Sequence, residues 1–226
     1  NAAGAMTILV DGAFGRVMAA GVESVEHAVL AVGAVIGDSV EEISGKTMPR
    51  IEQLRATSVR RGSWQGELLR EALERSRVMV GGADVEPSSL RAKSALSGLR
   101  SDSDVWGRGV SAIAIPGVVS DGVAEALFET PIVGNGVSAR PWLFVADPSK
   151  FKVSRAIWDE LTARWRVAVG RSVSLAALAI NPRRPDGSSV DIEKLRRACK
   201  LEMVDRGISP VPVWEPRTDD LVALDL

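Results

Sequence analysis

Tyrosine is absent from this sequence, and cysteine and histidine occur once each, as Cys199 and His27. A lone cysteine excludes an internal disulfide framework and a cysteine-rich zinc site, and it fits a reducing, cytoplasmic setting. A lone histidine removes sites that need two imidazoles, and no Gly-x-Ser-x-Gly pattern offers it a nucleophile. Any metal chemistry must therefore be oxygen-ligated, hence magnesium, manganese or calcium. Charge of one sign is lacking too. The 28 basic and 29 acidic residues leave a net charge of -1, so no global field draws the molecule to nucleic acid or anionic lipid. Long apolar runs are missing as well: the nearest, AVLAVGAVIG over 28–37, is about half of the roughly 20 residues that a membrane span needs. It reads as a buried helix, and no membrane partner is expected. The N-terminus has no signal-peptide pattern, and NAAGA over 1–5 reads as a remnant ahead of a natural start at Met6.

What is present is a chain of 226 residues, 46% apolar, with ample material for a buried core. Arginine far outnumbers lysine, and Ala, Val and Gly are abundant. Residues 7–10 (TILV) form a short strand candidate. Over 22–43, Val22, Val25, Val29, Val32, Ile36, Val40 and Ile43 recur at spacings of three and four, which predicts a helix. Gly33 and Gly37 weaken that helix but permit close approach to another element or another copy of the chain. Pro49 is expected to end it, ahead of a basic segment carrying Arg50, Arg55, Arg60 and Arg61. Ser63 then caps an amphipathic helix with Trp64, Leu68, Leu69, Ala72 and Leu73 on its apolar stripe. RVMVGG over 77–82 reads as a buried strand, 88–99 as a short helix, and RSDSDVWGRG over 100–109 as a polar loop.

The second half alternates more regularly. Residues 110–115 form a strand stopped by Pro116, Ser120 caps a helix running to Phe128, and Ile132 with Val133 suggests an edge strand. PWLFVAD over 141–147 is a continuous apolar run suited to a sheet covered on both faces. A helix is expected over 154–166, with Ile157, Trp158, Leu161 and Trp165 inward, and a strand over 173–180. After the turn NPRRPDGSS, Ser188 and Asp191 suggest a capping box for a helix whose face carries Ile192, Leu195, Cys199 and Met203 and which ends at Gly207. A last strand covers 211–214. The alternation predicts an α/β fold: a mixed, partly parallel sheet covered by helices, with a helix-rich N-terminal portion. It is expected as a single domain over 6–226, with any sub-domain seam near 100–108.

Ligands of such sheets collect beyond the carboxyl ends of the strands. Asp11, after TILV, and Asp147, after WLFVA, stand at positions of that kind. If they are neighbours, they would share a magnesium ion for phosphodiester chemistry, with Lys150, Lys152 and Arg16 facing the phosphate. The competing reading makes Asp147, before Pro148, a turn-former. DGAFGR lacks both the dinucleotide fingerprint and a Gly-Lys-Ser/Thr nucleotide loop. A phosphate-backbone interface would use Arg50, Arg55, Arg60 and Arg61, or Arg183, Arg184, Arg196 and Arg197 with Lys200.

Three expectations follow from these residues. The first is a non-catalytic α/β component of a larger protein or nucleoprotein assembly, without a cofactor, that associates with a protein partner or with itself. A hydrophobic C-terminal LVALDL adds to that reading. The second is a magnesium-dependent nuclease or phosphodiesterase using Asp11, Asp147 and Lys150. The third is a nucleic-acid-binding module using one arginine cluster.

Overall fold

The computed structural model describes residues 27–91, 94–101, 105–106, 109–132 and 140–217. The α/β expectation holds: strands and helices alternate around sheets that are largely parallel. Two sheets carry the architecture.

The larger has six strands: β2 (Thr57–Ser58), β3 (Met79–Gly82), β4 (Val85–Ser89), β5 (Ala112–Ile115), β7 (Trp142–Val145) and β9 (Arg166–Val169). Their spatial order is β2-β9-β7-β5-β3-β4. The first four in that order run parallel, whereas β3 is antiparallel to both β5 and β4. Side chains alternate cleanly across it. Val80, Ile113, Ile115, Leu143, Val145 and Val169 enter one core, together with Leu127 of α4 (Asp121–Phe128) and Trp158 and Leu161 of α5 (Arg155–Arg164). Met79, Ala112, Ala114, Phe144 and Ala168 enter the opposite one, against Leu68, Leu69 and Ala72 of α2 (Trp64–Arg75). The alanines on that face let α2 sit close, and Phe144 fills the remaining space between Trp64 and Trp142, with ring centroids at 6.3 and 5.7 Å.

The smaller sheet has the order β1-β10-β11, all parallel, from β1 (His27–Gly33), β10 (Ser174–Asn181) and β11 (Val213–Trp214). Its core is formed with α1 (Val40–Leu54) and α6 (Ile192–Asp205): Val32, Leu178 and Ile180 meet Ile43, Met48, Ile51, Leu195, Cys199 and Met203. A polar seam joins the helices of this unit to α5. Glu52 of α1 accepts from Trp158 Nε1 at 2.5 Å and from Arg206 Nη1 at 2.8 Å. The same arginine nitrogen reaches Asp159 at 2.9 Å. Arg155 of α5 pairs with Glu202 of α6 at 3.1 Å.

Several expectations need correction. Residues 27–33 are a strand, not part of a helix, and the helix begins at Val40 under a Ser39 cap. The valines that fit a spacing of three and four also fit alternation, with Ala28, Leu30 and Val32 turned inward and His27, Val29 and Ala31 exposed. Pro49 lies inside α1 rather than ending it. The amide it lacks would have served Gly45, and burial of Ile43, Met48, Ile51 and Leu54 offsets a cost of about 3 kcal/mol. The helix expected over 88–99 is α3 (Ala95–Ser101), and strand β4 takes its first residues. Pro87 is tolerated there because β4 is the sheet edge. The helix expected over 154–166 stops at Arg164, and Arg166 opens β9. Asp191 alone caps α6, accepting from the Lys194 amide at 3.0 Å, while Ser188 belongs to the preceding turn through Asp186. Ile132 is outside any strand, and Val133 lies outside the described residues.

Candidate functional site

The carboxyl ends of β2, β9, β7 and β5 are where such a sheet offers a ligand site. The segments leaving β5 and β7 pair again as a short parallel ribbon, β6 (Val119–Ser120) with β8 (Phe151–Lys152), before entering α4 and α5. Asp121 Oδ1 then accepts from the Ser154 amide at 2.7 Å, so the carboxylate at the start of α4 caps the start of α5. Phe151 is buried beneath the ribbon with its ring 5.2 Å from that of Trp158.

Asp147 follows β7 as expected, and its carboxylate has local work. Oδ1 accepts from the Ser149 amide at 2.8 Å, capping the 3-10 turn Pro148–Lys150, and the residue is only 9% exposed. That is the turn-former geometry. Lys150 ends the turn half-buried, and Lys152 is exposed on β8. Asp11 and Arg16 lie outside the described residues, so the Asp11–Asp147 pair does too. Among the described residues no group of three or more His, Cys, Asp or Glu side chains converges in a way that would hold a metal.

Arg50 joins this place from α1, a meeting that sequence spacing does not reveal. Its Nη1 donates to Gln53 Oε1 at 2.8 Å and to the Pro148 carbonyl at 3.2 Å, while Nη2 is buried without a hydrogen-bond partner. Burial pulls its basicity below that of a free guanidinium, and the Asp147 charge opposes the fall. Arg50 therefore acts as a tie between α1 and the turn after β7 and leaves the first arginine cluster. Arg55, Arg60 and Arg61 of that cluster stay exposed. The Arg60 carbonyl is itself committed, accepting from Ser63 Oγ at 2.7 Å at the entry to α2.

The second cluster divides similarly. Arg184 Nη2 donates to the carbonyls of Gly37 and Asp38 at 3.2 and 2.7 Å, pinning the turn after β10 to the chain between β1 and α1. Arg183 is exposed. Arg196 pairs with Glu193 at 3.0 Å, and both line a shallow depression of about 400 Å³ with Arg197, Lys200, Leu201 and Val213. Its rim is cationic, but Glu193 offsets part of that charge. Cys199, on the inward face of the same helix, is buried, and burial with the nearby Glu202 pushes its thiol up to about 11. It is a core residue without nucleophilic character. His27 opens β1 and is exposed.

Of the large exposed apolar side chains in the described residues, Val29, Val35, Leu201 and Val204 belong to the β1–α6 unit, and Leu73, Leu96 and Val118 are scattered over the rest. No helix among the described residues is long and apolar enough to cross a membrane. Comparison of the chain with protein-family models, curated proteins and solved structures finds no match.

Proposed function

We propose that this chain is a non-catalytic α/β component that works by association with protein, within a cytoplasmic assembly. The observation that carries the reading is the contrast between the two sheets. Beyond the strand ends of the six-stranded sheet, Asp121 and Asp147 are engaged in local capping beside the β6–β8 ribbon. On the three-stranded unit, by contrast, Val29 and Val35 are 56% and 63% exposed and Leu201 and Val204 are each 56% exposed. Four of the seven large exposed apolar side chains among the described residues lie on this unit, and apolar exposure supports contact with a partner.

Lysine-directed crosslinking in native extract tests this. Lys194 and Lys200 lie on α6, whereas Lys152 lies on β8 beside the other sheet. The reading expects intermolecular adducts at Lys194 and Lys200; adducts confined to pairs within one chain would overturn it.

A second reading draws on the depression rimmed by Arg196, Arg197 and Lys200, which suits a phosphate backbone. It requires affinity for nucleic acid that falls steeply with salt, and replacement of Arg197 and Lys200 by Ala to flatten that slope by about two counterions. A magnesium-dependent phosphodiesterase would need Asp147 to serve metal as well as its turn. Magnesium titration of the wild type against Asp147→Asn, read by calorimetry, decides that case.

A further inference from the structure

A basic side chain that gives up part of its water ordinarily gains a carboxylate or a carbonyl in exchange. Among the described residues the half-buried basic side chains are Arg50, Lys150, Arg171, Arg184, Arg196 and Arg206. Arg196 and Arg206 meet carboxylates at 3.0 and 2.8 Å, and Arg184 meets two carbonyls. The other three keep donors unused. Arg50 Nη2 has no partner and is shut off from solvent, and among the described residues neither the Lys150 ammonium nor the Arg171 guanidinium has a hydrogen bond or ion pair.

These three come from different elements to one place. β7 and β9 are parallel neighbours, and the chain leaving β9 stays tied to the chain leaving β7, the Arg171 amide donating to the Ala146 carbonyl at 3.0 Å. Lys150 closes the turn after β7, its amide donating to the Asp147 carbonyl at 3.2 Å, and Arg50 reaches that turn at the Pro148 carbonyl. The carboxylate beside them is Asp147, held by the Ser149 amide, and Asp121, on the other strand of the ribbon, caps α5. Exposed Arg60 and Arg61 follow β2, where the Val59 amide donates to the Val169 carbonyl at 2.8 Å, so they add positive charge to the same edge of the sheet.

We infer that the carboxyl edge of β2, β9 and β7 binds a phosphate group, with Lys150 and Arg171 donating to its oxygens and Arg50 adding charge from the buried side. A phosphate or phosphate monoester is a dianion with several acceptor oxygens, which suits converging cations better than a singly charged carboxylate or phosphodiester. Half-buried donors also suit the end of a small molecule rather than a polymer backbone lying over a surface. The inference is independent of the association reading, since a phosphate site neither needs nor prevents a protein partner.

Titration of the isotope-labelled full chain with inorganic phosphate and with phenyl phosphate, at about pH 8 where both are dianions, tests it by NMR. Ionic strength is held constant with chloride. The amide signals of Lys150 and Arg171 are expected to shift and saturate in the millimolar range, and dimethyl phosphate, a monoanion, should need at least about tenfold more. Tighter binding of the ester than of the free ion assigns the group to a small molecule and equal binding assigns it to the ion; either supports the site. Lys150→Gln and Arg171→Gln should each weaken binding by about tenfold, whereas Arg171→Lys, which keeps the charge, should stay within about threefold. Arg197→Ala with Lys200→Ala, on α6, should leave it unchanged. The dispersed amide spectrum of each variant is the folding control, and the wild-type titration stands without them. Shifts that never saturate or that chloride reproduces, or affinity unmoved by both Gln substitutions in folded protein, overturn the inference.

Discussion

Gly45, in the middle of α1, is expected to resist improvement by alanine for a reason that lies on another helix. Glycine inside a helix costs about 1 kcal/mol relative to alanine, so on helix propensity alone Gly45→Ala should stabilise the protein by that amount. A Cβ at Gly45, however, would lie 2.1 Å from Arg155 Nη1, and outside α1 no other described residue comes within 4 Å of it. The guanidinium must move away. It would give up its pairing with Glu202 at 3.1 Å and with Asp159 at 3.6 Å, where the arginine is 45% exposed and Glu202 21%. Partly solvated pairs of this kind are worth about 0.5–1 kcal/mol. The two effects nearly cancel, and Gly45→Ala alone should change stability by less than about 0.5 kcal/mol. In an Arg155→Ala background the obstacle is gone, and the same change should stabilise by about 1 kcal/mol. Urea unfolding of the four proteins of the cycle, monitored by tryptophan fluorescence, gives the coupling directly. If Gly45→Ala shifts the midpoint equally in both backgrounds, the close approach of Arg155 to α1 is not what selects glycine there.

Gly82→Ala should behave in the opposite way, because its Cβ would lie 2.1 Å from the Gly109 carbonyl oxygen, which is backbone and cannot swing aside; a loss of about 2–4 kcal/mol in urea unfolding is expected, and a neutral result would refute the contact. Asp191 is held below the ordinary carboxylate value, first by the Lys194 amide, so its native pKa is depressed. Its contribution is present above the unfolded carboxylate value and lost as pH falls through the native one, and Asp191→Ala should lower stability at neutral pH and remove that acid-side loss, read by urea unfolding as a function of pH. Cys199, with its thiol pushed up to about 11, should react with a disulfide reagent at neutral pH only as fast as the protein unfolds. The raised pKa also means that stability declines as pH rises from the ordinary thiol value through about 11; a fast thiol in the folded protein would contradict the burial.

The elements that sequence reveals are those whose local signals agree with their tertiary use. Ser63 before the Trp64, Leu68, Leu69 and Ala72 stripe marks α2, and the run through Leu143, Phe144 and Val145 marks a strand buried on both faces. Where tertiary packing overrides the local signal, the pattern misleads. Pro49 stays helical because the residues on both sides of it are buried against the three-stranded sheet. β9 hides at the end of α5 because Trp165 has apolar spacing in register with the helix yet extended backbone, at φ -121° and ψ 149°. The two-residue strands β2, β6 and β8 carry no periodicity at all. Within the candidate site, the turn role of Asp147 is legible in Asp-Pro-Ser, but the approach of Arg50 is not. Its partner Pro148 is 98 residues away along the chain, and only the packing of α1 across the carboxyl end of β7 brings them together.

That approach also bears on function, through the state of the charges it involves. A guanidinium at a ligand site keeps its donors open toward the space the ligand will occupy, and a carboxylate at a metal site keeps its oxygens free of backbone amides. Arg50 turns Nη1 into Gln53 and the Pro148 carbonyl, and Asp147 turns Oδ1 into the Ser149 amide, so both are oriented by the fold they hold. The same is true of Asp121 at Ser154 and of Arg184 at Gly37 and Asp38. Among the described residues, these polar groups near the strand ends are engaged in fixing loops, with Arg50 Nη2 left buried without a hydrogen-bond partner, while Val29 on β1 and Leu201 and Val204 on α6 leave large apolar side chains exposed.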